Sequence, residues 1–283
     1  MRHQTKLRIG PASFRIGSEW RAPVAALEAL YADYPRFDDV PDYSVRLRAV
    51  RPWRRLIRPS VMIEGDFMLP EAAPLPLAHG LLAAEMGMNL QLALGHRSHL
   101  LLHASCVERD GRALVMTGES GSGKSTLAAL LSAHGWRLMG DEFALLDPAT
   151  GLVHGFPRLV SLKNAAVVEV ERTLPHARFG PILAGTPKGD IRHLVPDARA
   201  IAAMHTPAAP ALLLFPRYGA APEARRVPPS EAFVRLTQAS TNYVALGERG
   251  FTALTRFVQQ VPALAIDYPD TAAALAAVER AWA

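Results

Sequence analysis

Cysteine occurs once, at Cys106, which excludes an internal disulfide and any zinc site built from several thiolates. Lysine is nearly as scarce. Lys6, Lys124, Lys163 and Lys188 are the whole set, and arginine supplies the rest of the 31 basic residues that face 26 acids. The net charge of +5 over 283 residues is too mild for a dedicated nucleic-acid coat. No apolar run approaches the ~18 residues of a membrane span. Residues 1–17 are dotted with charge and lack the apolar core of a signal peptide. No repeat of solenoid period is visible. These absences predict a cytoplasmic protein with neither membrane nor nucleic acid as partner.

Apolar residues make up 49% of the chain, enough for one large core or for a small domain followed by a larger one. Composition and pattern divide the chain at about residue 95, giving a mixed strand-and-helix segment over 1–95 and a second domain over 96–283. In the first, Pro23 opens a helix with Val24, Leu27 and Tyr31 on one face. Tyr43, Val45 and Leu47 alternate as a half-buried strand, residues 61–63 form another, residues 70–76 are a Pro-rich loop, and a helix runs from Leu77 to Leu94 despite Gly80 and Gly87. Arg46, Arg48, Arg51, Arg54, Arg55 and Arg58 crowd around Trp53. They read either as a clamp for an acidic partner or as the wet face of an edge strand.

In the second domain, residues 100–107 and 113–116 are strand-length apolar runs, with Arg109-Asp110-Gly111 as hairpin turn. The second run leads into a loop, a helix over 127–134 ended by Gly135, and a strand over 136–146 interrupted by Gly140-Asp141-Glu142. Beyond Gly155 the sequence reads as irregular until a short strand at 212–215. Two helices follow, one with Phe251, Leu254 and Val258 on one face, the other capped by Asp270 and carrying Leu275, Val278 and Trp282.

The loop carries the chemistry. Gly118, Glu119, Ser120, Gly121, Ser122, Gly123, Lys124 and Ser125 satisfy G-x-x-x-x-G-K-[ST] in full, between a strand and a helix as the motif requires. Its glycines let main-chain N–H groups turn toward phosphate oxygens, and the helix start adds a positive dipole end. Lys124 is expected at the β- and γ-phosphates, Ser125 on magnesium and Thr126 at the α-phosphate.

Phosphoryl transfer also calls for carboxylates, to hold magnesium and to take the proton of an attacking hydroxyl. Asp141 and Glu142 stand where those groups are needed, but strand neighbours point to opposite faces, so both reach one site only if the backbone breaks there. Gly140 is the residue expected to supply the break; the alternative is a solvated acidic turn. His99 and His103 would lie ~13 Å apart on one strand, which excludes a shared ion. His103, at the expected end of its strand, is either a satisfied core histidine or a group facing the γ-phosphate. Lys163 and Lys188, in later loops, bring positive charge either to triphosphate or substrate, or to solvent alone.

His103, the phosphate loop and the acid pair, in that order and spacing, resemble the HPr kinase/phosphorylase superfamily, and most of all the branch called HPr-kinase-related kinase A. The resemblance is firm over residues 98–165, through Leu101-Leu102-His103-Ala104, Gly135-Trp136-Arg137-Leu138 and Ser161-Leu162-Lys163-Asn164, and loose over the rest of the chain. It implies an α/β P-loop kinase core related to phosphoenolpyruvate carboxykinase, with a mixed sheet, preceded by a smaller α+β amino-terminal domain that binds substrate or a partner. It further implies ATP and Mg2+ as cofactors, a seryl or threonyl hydroxyl of a protein or peptide as acceptor, Asp141 as general base, Glu142 as magnesium ligand and His103 close to the transferred phosphate. Ring-like relatives leave a homo-oligomer open.

Two departures stand out. The second acid is Glu142 where better-known members have aspartate. The segment Gly155-Phe156-Pro157-Arg158 lacks the arginine-glycine signature associated with phosphorolysis, which removes the basis for expecting phosphorylase activity. Two other functions share the same residues: a kinase acting on a small molecule, and a nucleotide sensor without catalysis.

Overall fold

The computed structural model describes residues 1–69 and 72–282. Pro70 and Glu71, in the expected Pro-rich loop, and Ala283 lie outside the described residues. The chain opens on an antiparallel hairpin, β1 (His3–Ile9) and β2 (Ala12–Ser18), in which Thr5, Leu7 and Ile9 alternate inward. α1 (Arg21–Leu30) starts two residues before Pro23 and buries Val24 and Leu27 of the expected face, with Tyr31 buried just past its end. β3 (Tyr43–Ala49), β4 (Ser60–Gly65) and β5 (Leu75–Pro76) complete a five-stranded sheet in sequence order. Arg46 and Arg48 do face solvent, but β3 lies between β2 and β4, so the expectation of an edge strand is corrected.

α2 (Gly80–Gly95) is apolar on most sides because it is covered on most sides. Leu81, Ala84, Met88 and Leu92 join one core with Val45 and Leu47 of the first sheet and with Leu101, Phe143 and Leu145 of the next layer.

β6 (Leu100–Arg109) and β7 (Arg112–Thr117) form the expected hairpin, with φ of 55° at Asp110 and 75° at Gly111, the left-handed pair that a tight two-residue turn requires. α3 (Lys124–Ala133) follows the loop, and the strand after it is broken into β8 (Arg137–Gly140) and β9 (Phe143–Leu146), both paired to β6. β10 (Val153–His154) pairs with β9.

The stretch from 155 to 212, expected to be irregular, is instead structured. β11 (Val160–Lys163), α4 (Ala165–Thr173), β12 (Leu183–Thr186) and β13 (Gly189–Leu194) build a small sheet of order β11-β13-β12, and α5 (Ala198–Ala202) follows. Strands of four to six residues between Pro and Gly leave little periodicity to read.

β14 (Ala209–Tyr218) lies parallel to β7, β15 (Glu223–Arg226) forms an edge, and α6 (Pro229–Ala239), α7 (Tyr243–Leu246) and α8 (Glu248–Gln260) precede β16 (Ala263–Tyr268), which lies parallel to β14. The resulting mixed sheet has the order β10-β9-β6-β7-β14-β16-β15, with β8 beside β9 on β6. In α8, Leu254 and Val258 are buried as expected, whereas Phe251 is exposed and meets Phe233 edge-to-face, so it belongs to the outer face. α9 (Thr271–Trp282) closes the chain, and Asp270 caps it by accepting the Ala273 N–H at 2.8 Å. The molecule is thus a mixed α/β protein of several sheets.

Candidate functional site

β7 delivers the chain into a loop that is exposed from 118 to 121 and closes on the first turn of α3. Gly123 is fixed there for two reasons: its φ is +97°, and a Cβ would stand 2.5 Å from the Tyr268 hydroxyl. Ser125 and Thr126 are half-buried on the helix start. Lys124 is buried and donates to the carbonyl oxygens of Gly118 and Glu119 at 2.7 and 2.8 Å. The ammonium therefore lies against its own loop, within the concavity expected to take phosphates. Burial lowers its pKa and Lys163 adds to the effect, while Asp141 and Glu142 pull it back up. Lys124, Lys163 and both acids thus share one electrostatic neighbourhood.

The acid pair occupies the gap between β8 and β9. The break that aims both residues inward is made by Glu142, at φ +82°, and not by Gly140 as expected. Gly140 serves close approach instead: a Cβ there would meet the Phe143 carbonyl oxygen at 2.7 Å and that of Phe156 at 3.2 Å. Asp141 is buried, and its carboxylate accepts the Ser105 hydroxyl at 2.5 Å and the Ser161 N–H at 3.3 Å. Burial raises its pKa above the ordinary carboxylate value and the Glu142 charge raises it further; the Ser105 and Ser125 hydroxyls and the Ser161 amide hold it down. A buried carboxylate that favours its proton more than usual can act on a metal or on a hydroxyl.

His103 stands inside β6 rather than at its end, opposite Phe143 of β9, because β6 runs ten residues and changes partners from β9 to β8 just beyond it. Its Nδ1 lies 3.8 Å from Glu142 Oε1, and both side chains are partly exposed. His96 and His99 stack and join through a 2.8 Å ring-nitrogen hydrogen bond, away from His103, and burial lowers both pKa values to about 4. Among the described residues, no group of three or more His, Cys, Asp and Glu side chains could hold a metal ion. Oxygen donors from Ser125, Asp141 and Glu142 suit magnesium, which needs only one or two carboxylates when phosphates supply the remaining ligands.

A cavity of about 120 Å3 opens beside the acids, lined by Asp141, Glu142 and Ser161 together with Lys163 and Lys188, the two later lysines whose roles spacing left open. α2 supplies its opposite wall through Glu85 and Asn89. Sequence reasoning assigned no role to Ser105, Glu85, Arg158 or His193. Ser105 carried a signal, since it is two residues from His103 and shares its strand face. Glu85, Arg158 and His193 carried none, because only tertiary packing joins them.

No family model and no curated protein matches the chain. Among solved structures it is similar to the Hpr(Ser) kinase/phosphatase from Coxiella burnetii, at 13% identity, covering 64% of this chain and 90% of that one with a TM-score of 0.28. At that identity and TM-score nothing about the site is carried over from it.

Proposed function

We propose that the chain is an ATP-dependent kinase of the HPr-kinase type, transferring the γ-phosphoryl group to a serine or threonine hydroxyl of a protein or peptide. The observation that carries this reading is the convergence of a glycine-rich strand-to-helix loop, entered from β7, with a buried carboxylate, Asp141, in the β8–β9 break on the neighbouring β6. The residues fit a nucleotide. Loop backbone from 118 to 121 is exposed, the first N–H groups of α3 have no partner within the helix, and the Ser122 hydroxyl is buried without a partner.

Magnesium ATP, when bound, supplies the phosphoryl group. Lys124 would exchange its two carbonyl partners for phosphate oxygens, and Ser125 and Glu142 would hold the metal. Asp141 orients the acceptor hydroxyl and takes its proton on a carboxylate oxygen. The adjacency of Asp141 and Glu142 in the β8–β9 break favours a second reading, in which Asp141 shares the metal. His103, beside Glu142, positions that carboxylate. The amino-terminal part, residues 1–95, contributes α2 to the cavity and is the part that grips the acceptor. Most of the rate gain is positional and electrostatic.

Incubation with γ-labelled ATP and lysate from the source cells is expected to label a serine-containing protein or peptide, located by mass spectrometry. A labelled small molecule would redirect the assignment to a metabolite kinase. ATP bound but neither transferred nor hydrolysed would mark a nucleotide sensor.

The raised pKa of Asp141 gives a second expectation. A base must be ionised, so kcat/KM should fall as pH falls, with its acid limb above the ordinary carboxylate range. Ser105→Ala removes a hydrogen bond that favours the anion and should move the limb further up in pH. A limb indifferent to Ser105 would remove Asp141 from the proton path.

A further inference from the structure

The cavity beside the acids contains polar groups that phosphoryl transfer does not use. Ser161 pairs with His193 and Lys163 with Ile191 across β11 and β13, so Lys163 and His193 lie on one sheet face, and both line the cavity. Lys188 comes from the turn between β12 and β13, and Arg158 from the segment that leads into β11.

Around this cavity, four side-chain atoms are buried without a hydrogen-bond partner: Nε and Nη1 of Arg158, Nδ1 of His193 and Oδ1 of Asn89. The Arg158 side chain is only 4% exposed. Its third nitrogen, Nη2, is engaged by Glu85, donating to the Glu85 carbonyl oxygen at 3.2 Å and to its carboxylate. The other Glu85 oxygen accepts the Tyr31 hydroxyl at 3.0 Å, so Glu85 has little left to offer the remaining guanidinium donors. Buried polar groups normally find partners, and of these four atoms the two Arg158 nitrogens are donors that call for an acceptor, Asn89 Oδ1 only accepts, and His193 Nδ1 does either according to its tautomer.

The three carboxylates of the lining, Glu85, Asp141 and Glu142, match its three cations, Arg158, Lys163 and Lys188, so what distinguishes the cations is their pairing and not the net charge. Glu85 is engaged by Arg158 and Tyr31, Asp141 by Ser105 and Ser161, and Glu142 faces His103. Among the charged groups of this cavity, Lys163 and Lys188 are left without an ion-pair partner within 4.0 Å among the described residues, beside the part-satisfied Arg158. The volume, about 120 Å3, is room for a small group.

We propose that this cavity is an oxyanion subsite, in which Arg158, Lys163 and Lys188 hold a carboxylate or phosphate group carried by the acceptor close to the hydroxyl presented to Asp141. The word acceptor rests on the kinase reading; the subsite itself does not. It narrows the substrate class to hydroxyl-bearing molecules or peptides with an anionic group near the reacting hydroxyl.

The test uses the full chain saturated with magnesium and the non-hydrolysable analogue AMP-PNP, so that the loop is filled before a second anion is added. Calorimetric titrations with malonate and, separately, inorganic phosphate are expected to show one further site per chain in at least one arm. Binding of malonate alone assigns a carboxylate, and of phosphate alone a phosphate. Lys188→Gln, on an exposed turn, should weaken that binding about tenfold, and Lys163→Gln with Lys188→Gln should abolish it. Arg158→Gln should do the same, but this variant can fail to fold, so the lysine variants decide. No binding in either arm, or binding unchanged in the double lysine variant, overturns the subsite. A chain that fails to bind AMP-PNP yet binds the oxyanion in a lysine-dependent way overturns the kinase reading and sustains the subsite.

Discussion

Asp141→Asn is expected to lower phosphoryl transfer by about 10^3-fold, within the range of ~10^2–10^4 for loss of a positioned proton acceptor. The substitution is nearly isosteric. Its amide oxygen can still accept the Ser105 hydroxyl at the 2.5 Å contact, while the longer 3.3 Å contact from the Ser161 N–H is lost because the amide nitrogen cannot accept it. What the amide cannot do is take a proton. The loop amides and Lys124 are untouched, so AMP-PNP affinity measured by calorimetry should stay within a few-fold of the wild type. A parallel loss of magnesium-dependent nucleotide affinity would assign the carboxylate to the metal, the second reading. Transfer that persists undiminished would remove Asp141 from the chemistry altogether. Glu142→Gln supplies the complementary arm, because a metal ligand should show its loss in magnesium dependence first.

Local chemistry made part of this site readable. The β6–β7 turn declares itself through Asp110-Gly111, the loop through its glycines and Lys124, and the acid pair through its place after the next strand. These features depend on residues adjacent in the chain. Direction within a break is harder. Glycine is the residue that tolerates positive φ, so Gly140 drew the expectation, yet the tertiary structure spends Gly140 on the close approach of the Phe143 and Phe156 carbonyls and bends the chain at Glu142. The β1–β2 hairpin was hidden by charged residues on its wet face, although Thr5, Leu7 and Ile9 alternate correctly. β11, β12 and β13 were hidden by brevity. The cavity was illegible for another reason: Glu85 and Arg158 lie 73 residues apart, and no periodicity links a helix face to a distant loop.

That distant pair carries the other large expected effect. Arg158→Leu should destabilise the chain by about 3–5 kcal/mol, the typical cost of stranding one member of a buried ion pair. Both side chains are 4% exposed, and removal of the guanidinium leaves the Glu85 carboxylate with only the Tyr31 hydroxyl as side-chain partner. Glu85→Leu should cost a similar amount, because it strands a buried guanidinium. The double variant, with no charge left in that space, is expected to lose less than either single variant, so the favourable coupling read in urea unfolding should exceed the loss of one single variant, about 3–5 kcal/mol. Additive losses would mean that the two residues act through separate neighbours. Since the pair ties α2 to the segment entering β11, and both elements wall the cavity, the recovered double variant separates folding from recognition. It should bind AMP-PNP as the parent does while its KM for the acceptor rises, because the architecture is restored and the guanidinium that meets the anion is not.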